Sequence, residues 1–567
     1  MEASQTNTIE ALASETVVGN QDSPTEKTAR FYQTCISVVV DGRDQRAGYR
    51  EAFQQAGVYW PDFGPKDSDA YVVAAKVYAS FLYSSMLDIR RVESFTGEVY
   101  LSMKPAQAIN VWKRNWDRFQ NNDGAYRDYY ENSCAAYASR VIGTVDFDTF
   151  VDIEIEMFHK LLLQEHFEEV VVLGNLSQLG DIMRPASAKK LTAFVADTYN
   201  LTVLTPVHVK GLRYMRNFAK LVEELGHEKV IFYLGWLILQ VLWRGLDKHM
   251  NALWYKQFGV RASALNSKPQ EVDCLEQTEN LLGWALFYRF TRDSSGQSTE
   301  RMSVMAKRLG RAFKRVVAYN KWLVNISLTE KNFTELLFYR KLLSEDKLRQ
   351  RLGNIKEMTD SAVANWLAVA ETRRTLSEDD WDDMRTFYIR DIRTTGKYSV
   401  YNKERHDLRA APLFGELPLF GEGLTDAANY GALGMLIGAA AVELIVHAVP
   451  GHRKSVFDKH VSCYFDNSET PPNFARDHFY RSVAVDIVYQ VFKAAASDAA
   501  KGQDLKDFDR DQTFFQMMCY LLCEGHAKEI PEAELNCNQG VKDSRIFGTV
   551  FGCPRGSPMN PRHKCRL

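Results

Sequence analysis

Few residues near the C-terminus have the chemistry for metal binding or proton transfer. Glu443 and His447 lie one helical turn apart in an apolar stretch, with His452 and His460 beyond and Asp486 and Glu524 farther along. A carboxylate and an imidazole on one helical face both offer lone pairs to a divalent ion. The same spacing describes an intrahelical carboxylate–imidazole pair surrounded by surface histidines. A buried Glu443 would need partners or a raised pKa. No G-x-S-x-G elbow occurs, and no phosphate-binding glycine loop of Walker or Rossmann type. Cys519 and Cys523 form a C-x-x-x-C on an apolar segment, but no second pair has structural-metal spacing.

The elements that must position such residues are helices. Glu154–Leu163, Val209–Leu225 and Met302–Leu323 carry apolar residues at three- and four-residue spacing. Another helix starts near Asp360 or Ser361, either of which can cap it. Strand signals are few and short: Ile36–Val40, Val170–Leu173 and Leu201–Leu204, the last cut short by Pro206. Leu413–Gly423 is a Gly/Pro-rich connector leading to the apolar stretch.

Two apolar runs invite a membrane reading. Val230–Trp243 is shorter than the ~20 residues that span a bilayer. Tyr430–Val449 is long enough but contains Glu443 and His447, and an acid in lipid costs a few kcal/mol. Both are expected to be buried core helices, with no transmembrane span in the chain.

The charge is balanced, 70 basic against 72 acidic residues for a net of −2, so nothing points to nucleic acid. With 46% hydrophobic and 12% aromatic residues, the 567-residue chain can bury a large core. Residues 1–27 are polar, with neither a signal-peptide core nor an anchor, and are expected to be disordered.

The segment Asn429-Tyr430-Gly431-Ala432-Leu433-Gly434-Met435-Leu436-Ile437-Gly438 resembles the N-Y-G-x-x-G-M-x-I-G run of the neprilysin and endothelin-converting-enzyme family, the M13 peptidases. In that family the run leads into H-E-x-x-H; here Ala439-Ala440-Ala441-Val442-Glu443 follows. Phe31–Ile36 with Tyr59-Trp60-Pro61 is similar to the Y-x-x-C and G-W-P elements, and Arg127-Asp128-Tyr129-Tyr130 to R-D-Y-Y. The ending Ser557-Pro558-Met559-Asn560-Pro561-Arg562-His563-Lys564-Cys565-Arg566 resembles M-N-P-x-x-K-C without its final Trp.

The resemblance implies a mainly α fold: two lobes enclosing a large cavity, the C-terminal lobe with a thermolysin-like helix pair. It divides the chain into a disordered 1–27, a helical N-terminal-type region 28–390 and a peptidase-like region 391–567 lacking H-E-x-x-H. Aligned on Gly438, the first His ligand becomes Ala439, the general-base Glu becomes Ala440 and the second His becomes Glu443. The E-N-x-x-D segment falls in Tyr480–Ala496. One register places Ser482 at the ligand Glu and Asp486 at the supporting Asp; another places Tyr480 and Ala484 there. Arg545 matches the family's intermediate-stabilising Arg, with Gln539 at its His partner, and only Tyr398 of Thr395–Tyr398 matches the substrate-binding N-A-x-Y. No catalytic or metal site is intact in this alignment and no cofactor is expected, zinc being the family's.

By the same resemblance Cys35 pairs with Cys274 and Cys463 with Cys565. Cys523, Cys553 and Cys134 lack the partners the family has, so re-pairing with one another or with Cys537, or a shortened N-terminus, stays open. Sequons at Asn175, Asn200, Asn325 and Asn332, with family-type disulfides, favour an extracellular chain or ectodomain. The expectation is a catalytically inactive homologue that binds peptides or a protein in its cavity, as a decoy or regulator. The rival is an active peptidase with zinc ligands relocated among Glu443, His447, His452, Asp486 and Glu524.

Overall fold

The computed structural model describes residues 2–15, 23–93, 98–106, 108–119, 122–138, 145–162, 170–242, 247–258, 269–293, 296–320, 345–374, 399–402, 407–410, 419–447, 462–463, 472–495, 509–520 and 537–565. The protein is mainly α and divides into two units, 1–286 with 346–385 and 287–345 with 386–567.

The first unit opens with α1 (Glu2–Ser14), α2 (Pro24–Val39), α3 (Arg46–Gln55) and α4 (Ala70–Phe81). Strands β1 (Leu87–Glu93) and β2 (Val99–Pro105) follow, then α5 (Ala108–Trp116), α6 (Asp123–Ala138), α7 (Phe147–Leu161), β3 (Val170–Leu173), α8 (Pro185–Tyr199) and β4 (Val207–Lys210). Next come α9 (Leu212–Leu225), α10 (His227–Leu242), α11 (Lys248–Phe258) and α12 (Pro269–Asp293), which continues past residue 286. The sheet order is β1-β2-β4-β3, with β2 and β4 parallel and the outer pairs antiparallel, so β3 is an edge.

The second unit contains α13 (Gly296–Tyr319). The helices α14 (Glu345–Leu352) and α15 (Ala362–Arg373) belong to the first unit, but for Glu345. The second unit resumes with the hairpin β5 (Ser399–Asn402) and β6 (Asp407–Ala410). It then holds α16 (Asp426–Asn429), a wide π-type turn Tyr430–Gly434, α17 (Met435–His447), α18 (Pro472–Ala495), α19 (Arg510–Tyr520) and α20 (Phe547–Val550).

Several expectations are corrected. Residues 2–14 of the segment expected to be disordered form α1. Ile9 and Leu12 are buried, and the Gln33 amide donates to the Leu12 and Glu15 carbonyls at 3.0 and 2.9 Å. Ile36–Val40 is not a strand but the end of α2. Phe31, Tyr32, Cys35, Val38 and Val39 make one buried helical stripe, and Ser23 caps a start with Pro24 at its first position. A helical period outweighs the β-propensity of one short β-branched run. Leu201–Leu204 is a turn closed by Thr205 N–H to Thr202 C=O, and the strand begins only after Pro206. Val209 lies in β4, and the helix expected from it starts at Leu212 after Gly211. The division is not a single cut at 390, because α13 packs on α17 and α18 and so falls in the second unit.

Both apolar runs are core helices. α10 is buried on nearly all sides, and the apolar window within Asp426–Val446 is 78% buried. Ser361 caps α15, its Oγ accepting from Ala364 N–H at 3.2 Å.

Candidate functional site

The second unit's core explains why the lead-in motif keeps its glycines. A Cβ on Gly431 would lie 2.2 Å from the Phe514 carbonyl oxygen, so the π-type turn touches the α19 backbone directly. A Cβ on Gly438 would lie 2.5 Å from Val488 Cγ2 and 3.2 Å from Ala484 Cβ, which sets the close approach of α17 and α18. Asn429 is buried and completes a loop: its Oδ1 accepts from Gly421 N–H at 3.0 Å, and its Nδ2 donates to the Gly421 carbonyl at 3.0 Å. The motif residues retained here have packing or loop-closing roles that need no metal.

Ala439 and Glu443 are half-buried on α17, and Ala440 is buried. An alanine methyl offers a metal no lone pair and a substrate no base. Ser482, on the facing α18, donates its hydroxyl to the Gln539 carbonyl at 3.1 Å. Ser482 of α18 and the segment at Gln539 are thus joined by one hydrogen bond. Ser482→Ala is expected to cost about 1 kcal/mol, because a carbonyl loses its donor. Urea denaturation of variant and parent measures it.

Asp486 anchors the C-terminal segment. Its Oδ1 accepts from the Ser544 hydroxyl and its Oδ2 from Arg545 N–H at 3.2 Å. Ser544 Oγ in turn accepts from Ile546 and Phe547 N–H at 3.2 and 3.1 Å, starting α20. Lys564 Nζ donates to the Ser544 carbonyl, and partial burial pushes its pKa down against the pull of Asp486 and Asp543. Asp543 accepts from Cys565 N–H at 3.0 Å, and burial pushes its carboxyl up. The M-N-P-type ending is therefore clamped by Asp543, Ser544 and Asp486. Of these only Asp486 stood out in the sequence; Asp543 and Ser544 carry no motif that marks them.

His447 ends α17, while Tyr398, His452, His460, Glu524, Asn325 and Asn332 lie outside the described residues. Among the described residues, no three His, Cys, Asp or Glu side chains form a group able to hold a metal ion. Cys35 is bonded to Cys274 and Cys463 to Cys565, as the resemblance implies. Cys519 is bonded to Cys537, a pairing that motif reasoning did not reach. Among the described residues Cys134 and Cys553 are free thiols, and burial pushes Cys134 up to about 12; Cys523 lies outside the described residues.

Residues 2–327 match the N-terminal model of Peptidase family M13, and residues 480–567 match the family's peptidase model. Neprilysin-1 of Trittame loki is 20% identical over 62% of this chain and 56% of its own length. Neprilysin-11 of Caenorhabditis elegans is 20% identical over 86% of this chain and 64% of its own. An endothelin-converting enzyme homolog of Locusta migratoria is 21% identical over 67% and 58%. The chain thus spans less than two thirds of the length of these relatives. Among solved structures, PepO of Lactobacillus rhamnosis aligns with TM-score 0.70 at 12% identity, covering 100% of this chain and 94% of that one. The zinc metalloprotease Zmp1 of Mycobacterium tuberculosis, in complex with inhibitor, aligns with TM-score 0.63 at 13% identity, covering 100% and 92%. The extent of the family match, together with the fold, establishes that this chain belongs to peptidase family M13.

Proposed function

We propose that this chain is a non-hydrolytic M13 member whose second unit binds peptides or a protein segment without cleaving them. The observation that carries the reading is Ala439 and Ala440 on α17, together with a Ser482 hydroxyl on α18 already donated to Gln539. The donor set at these positions does not fit zinc, which takes imidazole nitrogens, carboxylates or thiolates. With Ala440 at the general-base position, no side chain there can take a proton from water. The packing role of Gly431, Gly438 and Asn429 supports a scaffold maintained for its shape. Its binding role is that of a decoy or a regulator of active relatives, and the disulfides fit an extracellular destination.

The competing reading relocates the zinc ligands among Glu443, His447, His452, Asp486 and Glu524. It is weakened at Asp486, where both carboxylate oxygens already accept hydrogen bonds.

Purified full-length protein is expected to carry no stoichiometric zinc by elemental analysis and to leave a peptide library intact, while retaining selected peptides in a pull-down. Stoichiometric zinc with phosphoramidon-sensitive cleavage overturns the proposal. If Glu443→Ala then abolishes that cleavage, relocated ligands are the answer.

A further inference from the structure

Helix α13 carries six basic residues and a single acid, Glu300, in a chain whose net charge is −2. Its apolar side is buried in the core of the second unit, through Met302, Met305, Leu309, Phe313 and Val317. The opposite side faces outward. Lys307, Arg311, Lys314 and Arg315 are exposed there. Their spacing of i, i+4, i+7 and i+8 puts them in one row, about 12 Å long by helical rise.

The six cations fall into two groups. Arg301 donates to the Glu422 carbonyl at 2.8 Å, pairs with Asp426 at 3.4 Å and lies over the Phe420 ring. Arg308 hydrogen-bonds to Tyr430. Both brace the helix against its own unit. In the outward row, Lys307, Lys314 and Arg315 form no ion pair among the described residues, and Arg311 reaches only the Lys307 carbonyl of its own helix, at 3.4 Å. Other surface lysines have acids beside them, as Lys356 has Glu371 at 2.7 Å and Lys493 has Asp511 at 2.9 Å. Like charges one turn apart repel, so the row weakens its own helix until an anion lies along it.

We infer that the outward row of α13 is a docking surface for a sulfated linear polysaccharide. A guanidinium meets an oxyanion with two parallel N–H donors, and an ammonium adds a compact point charge. A chain carrying sulfates at short intervals can lie along the row and meet all four cations. The helix offers a bilayer no apolar face, because that side is in the core, and its exposed Val304 and Tyr319 stand beyond opposite ends of the row. The bonds Cys35–Cys274, Cys463–Cys565 and Cys519–Cys537 belong to an oxidising compartment, where sulfated polysaccharides rather than nucleic acids are the polyanions at hand. The inference takes from the proposed function only the extracellular placement. Binding to purified polysaccharide requires neither zinc loss nor peptide retention, so either reading can fail alone.

The test passes purified full-length protein over immobilised heparin at about 0.15 M salt and elutes it with a salt gradient. The parent is expected to be retained, and to pass through a column of heparin stripped of its sulfates. The fourfold variant Lys307→Gln, Arg311→Gln, Lys314→Gln, Arg315→Gln is expected to bind about tenfold more weakly or worse, with a flatter salt dependence, because its counterion-releasing contacts are gone. Its circular dichroism is expected to match the parent's, since all four side chains are exposed. Lys307→Gln with Lys314→Gln is expected to fall between the two, and carries the test by itself if the fourfold variant does not fold. Lys356→Gln with Lys493→Gln, which removes paired cations, is expected to change binding by less than about twofold. Passage of the parent through the heparin column overturns the inference. So does retention undiminished in the variants of the row, or equal retention on the desulfated column. Capture by phosphatidylserine vesicles with no retention on heparin overturns it in favour of a membrane surface.

Discussion

Gly431→Ala is expected to destabilise the second unit by about 3 kcal/mol or more. The added Cβ would lie 2.2 Å from the Phe514 carbonyl oxygen, 3.0 Å from its carbon and 3.1 Å from its Cα. All three atoms are backbone, held within α19, so no rotamer change relieves the clash. The turn must move away from a core that contains Phe514, Tyr430, Phe492 and Leu433. Gly423→Ala is the control: nothing lies within 4 Å of its Cβ, and a change within about 0.5 kcal/mol is expected. Denaturation followed by circular dichroism and hydrogen exchange over α17 and α19 reads both variants. A mild Gly431→Ala would show that the glycine is not held by packing and would weaken the account of the retained motif.

Glu154→Leu is expected to cost roughly 3–5 kcal/mol in the first unit. Glu154 is fully buried on α7, and three neutral donors converge on it. Trp112 Nε1 and Tyr233 OH donate to Oε1 at 2.7 and 3.0 Å, and Tyr126 OH donates to Oε2 at 2.6 Å. Leucine would leave all three donors without an acceptor inside an aromatic cluster that includes Trp236, Tyr129 and Phe150.

The same residue makes stability depend on pH. Burial raises the Glu154 carboxyl from its ordinary 4.5 to about 7, while the three hydrogen bonds and Lys113 pull the other way. The folded state therefore holds this proton more tightly than the unfolded chain. The contribution is fully present below about pH 4.5 and is lost as pH rises through about 7, roughly 3 kcal/mol in all. Glu154→Gln keeps an acceptor for Trp112 and Tyr233 and can donate to Tyr126. It should stay within about 1 kcal/mol of the parent at low pH and remove this part of the slope. Urea midpoints compared across that range decide it, and an unchanged slope in the glutamine variant would refute the assignment.

How much could be read in advance varied by element. The helix stripes of α7, α9, α13 and α15 and the strand at Val170–Leu173 were legible, because side-chain periodicity is a local property of the chain. The Ile36–Val40 strand was misread, since five residues are too few to tell a buried strand from a helix end. Glu154 looked like one polar residue in an amphipathic helix. Its environment comes from Trp112, Tyr126 and Tyr233, on three other helices. The Cys519–Cys537 bond was equally hidden, because pairing depends on which sulfurs the fold brings together.

The sequence by itself determined membership of the family and the identity of the residues standing after Gly438, because motif order and side-chain chemistry are written in the chain. Only the tertiary structure decided what the surviving motif is for. Gly431 meets the backbone of α19, Gly438 meets Ala484 and Val488, and Asn429 closes on Gly421. Those contacts join residues distant in sequence, and close packing fixes them wherever the backbones approach too near for a side chain.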